Sequence, residues 1–420
     1  MNVFVLKLNA VQVLALSCLG VALGVWLKGR IRILDRLNIP APIVGGLIFA
    51  LLALFLRDRY LNLEPDLVLR DILMVAFFTT IGMSASLRLL RVGGPQVILF
   101  FGLSTLGVAA QNIVGVACAM ALGLNPLMGV IAGSVTLAGG PATALAFGPT
   151  FESIGVSGAT TVGLAAAMFG IVAGGLLGGF AGGRIITKRK LKPAGDDKAS
   201  APAKPAEAIA YAEDEPEGSQ AIPISDESEA ERSPLLSNVI VIAIAMGIGT
   251  VISGWIQSKG FTLPTYVGAM IAAAILRNLD DRFHFAGISQ HQVDMIGSAA
   301  LNIFLVMALL TLRLWELAQL AAPLLAILAA QVGLVWLMAK VTFWAMGRDY
   351  ESAVMSAGYC GFMLGTSANA LAAMGVLTEK YGPAPRAFIV VPLVGAFLID
   401  FTNALLITGS ADLIRSVFGQ

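Results

Sequence analysis

The sequence predicts an all-α polytopic membrane protein built as two inverted five-helix repeats, each carrying a re-entrant helical hairpin. Three observations carry that expectation. The first is composition: 57% of the 420 residues are hydrophobic and 13% are charged, with mean hydropathy +0.84, where a soluble domain carries about a quarter charged residues. The second is a break in an apolar run, Thr136-Leu137-Ala138-Gly139-Gly140-Pro141-Ala142-Thr143-Ala144. Paired glycines followed by proline favour a turn over continued helix, and backbone unwound at bilayer depth has to face protein or water. A comparable break, Tyr359-Cys360-Gly361-Phe362-Met363-Leu364-Gly365-Thr366-Ser367-Ala368-Asn369, follows 223 residues later. The third is a collinear series of echoes at offsets of 223 to 227. Asn38-Ile39-Pro40-Ala41-Pro42-Ile43-Val44-Gly45 reads like Thr262-Leu263-Pro264-Thr265-Tyr266-Val267-Gly268, Asn125 and Asp349 each precede a broken segment, and Phe169-Gly170 matches Val394-Gly395. Thr150-Phe151-Glu152-Ser153-Ile154-Gly155 matches Leu377-Thr378-Glu379-Lys380-Tyr381-Gly382. Broken spans at matched places in two inverted halves are the sequence mark of an alternating-access transporter whose site lies near the midplane.

In chain order, the first span is the apolar run Ala10–Leu27, too long for the h-region of a signal peptide. Spans of roughly 20 residues, shorter where tilted, follow at Ala41–Leu56, Asp71–Leu87, Gln96–Leu122 and Thr160–Gly183, with a hairpin of two shorter pieces at Pro126–Gly148. The second half gives Leu236–Gln257, Pro264–Leu276, Val293–Leu312, Leu317–Met346 and Arg386–Thr408, with its hairpin at Ser352–Leu377. The expected units are therefore residues 1–183 and 236–420, joined by a linker over 184–235. That linker starts basic (Lys188-Arg189-Lys190), turns acidic (Glu213-Asp214-Glu215) and has too little apolar content to bury, so it is expected to be a disordered tether.

Basic residues at span ends set the orientation. Of 27 Lys and Arg, seven (Lys7, Arg57, Arg59, Arg70, Lys259, Arg313, Arg415) fall on one side; Arg88 and Arg91 are among those on the other, cytoplasmic side. Both termini are then external and the linker is cytoplasmic. An odd number of spans per half turns the second half upside down, so the first hairpin enters from outside and the second from inside. Gly170, Gly174, Gly178 and Gly182 recur every four residues along the fifth span, a smooth face for close approach, expected to receive the first hairpin.

Asp400 is the sharpest chemical signal, because an ionisable residue inside a span is costly and is a functional candidate by default. A carboxylate with neutral oxygens suits a hard cation, and Thr402 and Asn403 supply such oxygens, so Na+ is expected at Asp400. Gln111 and Asn112 lie mid-span, and adjacent amides cannot share one helix face. Interhelical glue and cation binding both stay open for them. Asn302 and Thr79-Thr80 are weaker candidates, since hydroxyls in spans often bond back to their own helix. At the hairpin tips, Thr136, Gly139, Gly140, Thr143, Gly361, Thr366, Ser367 and Asn369, with free N–H groups at half-helix starts, suit a carboxylate-bearing substrate. Glu152, Glu351 and Glu379 mark hairpin bases and are expected to be solvated.

Other classes are disfavoured. His284 and His291 both read as loop residues, which excludes a histidine proton relay in the membrane. Three cysteines, Cys18, Cys118 and Cys360, imply no disulfide framework, and net charge +1 implies no nucleic-acid partner. Nothing reads as a nucleophile–base set, a Walker loop or a metal-ligand cluster, so an enzyme is not expected. Polar residues at mid-depth favour a carrier over a channel, and proton coupling through Asp400 stays open.

Several motifs then agree together: Leu69-Arg70-Asp71 leading into Ala76-Phe77-Phe78-Thr79-Thr80-Ile81-Gly82, Gln111-Asn112, Pro126-Leu127-Met128-Gly129, Ala132-Gly133-Ser134, Gly139-Gly140, Leu312-Arg313-Leu314-Trp315-Glu316-Leu317, Gly358-Tyr359-Cys360-Gly361-Phe362 and Val391-Pro392-Leu393-Val394-Gly395-Ala396-Phe397. In these the chain closely resembles the bacterial sodium/glutamate symporter family over nearly its whole length. The resemblance implies ten spans, a homodimer, and Na+-coupled uptake of L-glutamate across the inner membrane by an elevator movement, with no cofactor beyond the coupling ion. By position it assigns Gly139 and Gly140 to the first hairpin motif, Cys360, Gly361, Phe362 and Gly365 to the second, and Asp400 and Asn403 to the acidic tenth span. The chain departs from the family pattern at the tips. Pro141, Ala142 and Ala144 stand where the family's Gly-Gly-His-Gly-Thr-Gly has His, Gly and Gly. Tyr359 stands where the family has histidine, and Met363 where it has glycine. These are positions expected to meet substrate, so a different organic anion or amino acid is the alternative.

Overall fold

Helices account for most of the described residues in the computed structural model, which describes residues 4–37, 39–57, 61–87, 94–193, 234–259, 263–313 and 321–418. The expected linker from 194 to 233, the motif residues Asn38, Thr262 and Leu314-Trp315-Glu316-Leu317, and Arg59, Arg88 and Arg91 lie outside the described residues.

The first helix, α1 (Ala10–Arg30), begins at a capping box: the Gln12 backbone N–H donates to Asn9 Oδ1 at 2.9 Å, and the Asn9 backbone N–H donates to Gln12 Oε1 at 3.0 Å. Two otherwise orphaned N–H groups are satisfied reciprocally. A short α2 (Arg32–Arg36) leads to α3 (Ala41–Leu56), then α4 (Val68–Ser84), α5 (Gly94–Ala121), α6 (Pro126–Val130), α7 (Gly140–Ser153) and α8 (Ala159–Arg189). Beyond residue 233 come α9 (Pro234–Gln257), α10 (Thr265–Phe283), α11 (Gln290–Leu309), α12 (Ala321–Ala345), α13 (Tyr350–Leu364), α14 (Ser367–Tyr381), α15 (Pro385–Leu393) and α16 (Ile399–Phe418). Among the described residues six helices are long and apolar enough to cross a membrane: α1, α5, α8, α9, α11 and α12. The other segments expected to span are shorter or carry charge near an end.

One feature was not expected. Phe4–Leu8 (β1) and Leu61–Pro65 (β2) form a two-stranded parallel sheet in register from Phe4↔Leu61 to Leu8↔Pro65. Parallel pairing joins segments distant in sequence, and five residues are too few to print an alternating pattern, so neither segment had been assigned to an element.

The helices pack as two groups. In one, α1, α3, α4, α9, α10 and α11 pack on one another. In the other, α5 to α8 pack with α12 to α16. Each group draws helices from both sides of residues 194–233. Between the groups, Phe147 of α7 meets Tyr266 of α10 edge-on at 5.1 Å, and Tyr266 lies 4.8 Å from Phe78 of α4.

Three expectations are corrected. The glycine face of α8 receives mainly the second hairpin, and the first touches it at Gly170 through Leu137. A Cβ at Gly170 would lie 2.1 Å from the Leu364 carbonyl oxygen, at Gly174 3.0 Å from that of Gly361, and at Gly182 2.5 Å from Leu377 Cδ1. Periodicity marks a smooth face but does not name its occupant. The fifth helix also runs on through Arg184–Arg189, where the linker had been expected to begin, because those residues keep helical propensity despite their charge. Finally, His291 stands in the first turn of α11 rather than in a loop.

Candidate functional site

Both hairpins start at a capped end. Asn125 Oδ1 accepts from the Leu127 N–H at 2.9 Å, and Asp349 Oδ1 accepts from the Ser352 N–H at 2.7 Å. These are the two residues paired by the sequence echo, and both supply the side-chain oxygen that a helix N-terminus needs. In the first hairpin, winding loosens into a π-type turn over Ile131–Val135 and fails at Gly133 (φ −103°, ψ −123°), ahead of the Gly-Gly-Pro stretch. Gly140 then takes φ +68°, a conformation that favours glycine. Pro141 follows in the first turn of α7, where its missing N–H would have had no helical partner. In the second hairpin the break falls at Gly365 (φ −148°, ψ −106°). The two breaks meet: a Cβ at Gly140 would lie 3.5 Å from the Gly365 carbonyl oxygen and 3.9 Å from Thr366 Cγ2.

A third irregularity stands beside them. A π-helical turn over Val394–Leu398 joins α15 to α16 just after Pro392, whose ring removes one helical donor. Ser367 Oγ donates to the Gly395 carbonyl oxygen there at 2.7 Å.

Around the first break, Asn112 Oδ1 accepts from the Ser134 N–H at 3.3 Å, Asn403 Nδ2 donates to the Ser134 carbonyl oxygen at 3.0 Å, and Asn112 Nδ2 donates to Ser410 Oγ at 3.2 Å. Around the second, Gln111 Nε2 donates to the Met363 carbonyl oxygen at 2.7 Å, and Asn369 Nδ2 donates to that of Ile171 at 2.7 Å. Gln331 of α12 donates to the Gln111 carbonyl oxygen at 2.7 Å. The two neighbouring amides thus diverge, one to each hairpin, as their adjacency requires. Each of these amide N–H₂ groups has a partner, yet Gln111 Oε1, Ser134 Oγ, Thr136 Oγ1, Asn369 Oδ1 and Asn403 Oδ1 are buried without one among the described residues. Buried polar atoms in native proteins are nearly always paired.

The expected site residues therefore divide. Asn112 and Asn403 converge on Ser134, while Gln111 joins the second hairpin instead. Asp400 lies one turn before Asn403, is partly buried, and hydrogen-bonds to none of these among the described residues. Thr143 folds back over Gly139, whose added Cβ would lie 2.6 Å from Thr143 Cβ, and Gly361 packs against α14, its added Cβ 2.5 Å from Ala370 Cα. The Thr402, Thr79 and Thr80 hydroxyls bond back to Leu398, Val75 and Phe77, and among the described residues Asn302 Nδ2 reaches only Ser298 Oγ, at 3.5 Å. Two of the hairpin-base carboxylates are not simply solvated. Glu152 Oε1 accepts from the Thr160 N–H at 3.0 Å, and Glu351 Oε2 accepts from the Ala387 N–H at 3.0 Å; each ties a hairpin to the helix that follows. Ser134, Gln331 and Ser410 had not been singled out. A lone amide inside the apolar α12 was a readable signal for Gln331, whereas a serine in a span gives none.

A cavity of about 640 Å³ opens between the two helix groups, walled by Val75 of α4, Pro149 and Thr150 of α7, Thr250 of α9 and Tyr266 of α10. It runs along the outer arm of the first hairpin, and none of the expected site residues lines it.

A family profile described as sodium/glutamate symporter matches residues 6–383. The sodium/glutamate symporter of Haemophilus influenzae is 37% identical over 411 residues, covering 96% of this chain and 97% of that protein. That of Escherichia coli is 38% identical over 405 residues, covering 95% and 96%. These relatives are named as transporters, not enzymes. With its apolar helices and near-complete coverage, the chain belongs to the sodium/glutamate symporter family of membrane transporters.

Proposed function

We propose that this chain is a secondary active transporter that carries L-glutamate, or a closely related carboxylate, together with Na+ across the bacterial inner membrane. The carrying observation is the set of buried, unpartnered side-chain oxygens where the hairpin breaks meet α5 and α16. Hydroxyl and amide oxygens left without donors suit a hard cation. Asn403, Gln111 and Asn112 are the proposed neutral cation ligands, and Asp400 adds the charge. Thr136, Gly139, Gly140, Thr143, Gly361, Thr366, Ser367 and Asn369 are proposed to meet the substrate, whose carboxylate takes the free N–H groups at the starts of α7 and α14. Na+ lowers the cost of burying that anion by neutralising charge in the site. Na+ is the coupling ion, and no other cofactor is proposed.

Movement is proposed to be of the elevator type, within a homodimer. The division into two helix groups supports this, since few contacts cross between them. That each group takes corresponding helices of the two halves, α1, α3 and α4 with α9, α10 and α11, supports units at 1–183 and 236–420 as inverted repeats with re-entrant hairpins. For the orientation, the β1–β2 pairing supports one common side for the N-terminal segment and the connection after α3, proposed to be external.

Uptake of L-[14C]glutamate into proteoliposomes, with and without an inward Na+ gradient, tests the reading. Na+-driven uptake is expected, at least tenfold lower in Asp400→Asn, about 1.4 kcal/mol of lost coupling. Uptake driven by a pH gradient without Na+ would refute Na+ coupling. Absence of glutamate uptake by folded protein would move the substrate to another carboxylate.

A further inference from the structure

We propose that the joined ends of α8 and α12 form a binding site for the headgroup of an anionic phospholipid. A cavity of about 460 Å³ lies there, and its charged lining is entirely cationic: Arg184, Lys188 and Arg189 from the last turns of α8, and Lys340 from α12. None of the four forms an ion pair with a carboxylate among the described residues. Four like charges in one hollow repel one another unless an anion joins them.

Aromatic rings set where those charges stand. Lys340 Nζ lies 3.3 Å from the centroid of the Trp336 ring, and Arg189 Cζ lies 5.0 Å from that of Phe343 and 5.3 Å from that of Trp344. Such stacking holds a cation in one place without consuming its charge. Trp336 and Trp344 are themselves 36% and 51% exposed, and half-exposed tryptophan at a helix end is the chemistry of the membrane–water interface.

The ligand class follows from what lies next to the charges. One to three turns back along the same two helices, Phe180 and Leu176 of α8 and Leu337 of α12 are more than half exposed. Leu176 and Phe180 continue the face of Arg184 and Lys188 at four-residue spacing, an apolar strip running away from the cationic hollow. A soluble phosphate has no use for that strip, whereas a phospholipid places its phosphate on the cations and its acyl chains along the strip. Basic pockets between spanning helices recognise anionic headgroups in this way. None of these residues belongs to the proposed transport site.

The test is native mass spectrometry of the full-length protein in detergent, titrated with phosphatidylglycerol. Parallel arms use phosphatidylcholine and inorganic phosphate. One phosphatidylglycerol is expected to bind well above background, with no displacement by equimolar inorganic phosphate and little binding of phosphatidylcholine. In Lys188→Gln/Arg189→Gln its affinity should fall about thirty-fold, the equivalent of two surface charges at about 1 kcal/mol each. The charge-keeping pair Lys188→Arg/Arg189→Lys should stay within about threefold of the parent, which separates lost charge from lost packing. Equal melting temperatures of both variants without lipid guard against misfolding, and Lys340→Gln serves if the glutamine pair does not fold. The proposal is overturned by unchanged affinity in the glutamine variants, by equal binding of phosphatidylcholine, or by displacement with inorganic phosphate. A tenfold gain in phosphatidylglycerol affinity on neutralising Glu213, Asp214 and Glu215 would also overturn it, since the occupant would then be this chain's own acidic segment.

Discussion

Replacing Gly170 by alanine puts a methyl group where the second hairpin already lies. The added Cβ would sit 2.1 Å from the Leu364 carbonyl oxygen and 2.8 Å from Leu137 Cδ2, against an ordinary contact of 3.4 Å or more. The leucine side chain can turn away, but the carbonyl belongs to the last turn of α13, one residue before the break at Gly365. The hairpin therefore has to retreat by about 1 Å, at an overpacking cost of about 1–3 kcal/mol. The same displacement carries Gly365 and Asn369 away from the first tip, and misplacement on that scale can lower a geometry-dependent rate by up to about a hundredfold. The control is Gly175→Ala on the same helix, where an added Cβ meets nothing within 4 Å. The assay pairs thermal unfolding in detergent with Na+-driven glutamate uptake at matched protein density. Gly170→Ala should lose uptake at least tenfold while still folding, and Gly175→Ala should lose none. Equal uptake by both variants would refute the claim that the α8–α13 contact sets the tip geometry.

Two further outcomes follow from other parts of the structure. Asn403→Ala removes the donor to the Ser134 carbonyl oxygen and the unpartnered oxygen beside it, so the Na+ concentration for half-maximal uptake should rise about tenfold, with less than about 2 kcal/mol lost in stability; an unchanged Na+ dependence in a transport titration would refute Asn403 as a proposed cation ligand. At the end of α10, burial disfavours the Asp280 charge, but the N–H groups of Ile288, Ala286 and Gly287 and the nearby Arg277 more than offset it and hold the carboxyl below its usual range. A folded-state value below the unfolded one makes this contribution full above about pH 4 and lost as pH falls through the folded value. Asp280→Asn should therefore be less stable at pH 7 and show a shallower acid-side loss of melting temperature, and parallel pH curves for variant and parent would contradict it.

Much of this molecule was readable before any coordinate, and the exceptions share a cause. Asn125 and Asp349 were visible as the first residues of two matched segments because capping is local chemistry. Gln111 and Asn112 were visible because two amides inside an apolar run are costly wherever they point. Their separate destinations were not, since direction depends on which helices come to lie on either side. The Gly170–Gly182 face shows the same limit: the repeat of small residues is written in the chain, but the identity of the partner is a fact of assembly. Gly133 escaped because the Gly139-Gly140-Pro141 stretch offers a louder turn signal a few residues on. The β1–β2 pairing escaped because its two strands are short and far apart in sequence.

The π turn before Asp400 is, in effect, one residue too many for an α-helix. Each residue turns an α-helix by about 100°, so that single extra residue fixes the azimuth of everything that follows it. Asn403 and Ser410 both look inward because the turn over Val394–Leu398 holds one residue more than an α-helical turn would. Loss of one codon within that stretch would let the helix close up, keeping its length almost unchanged while swinging both side chains a quarter-turn or more away from Ser134 and Asn112. For this helix the number of residues between Pro392 and Asn403 is also an angular setting.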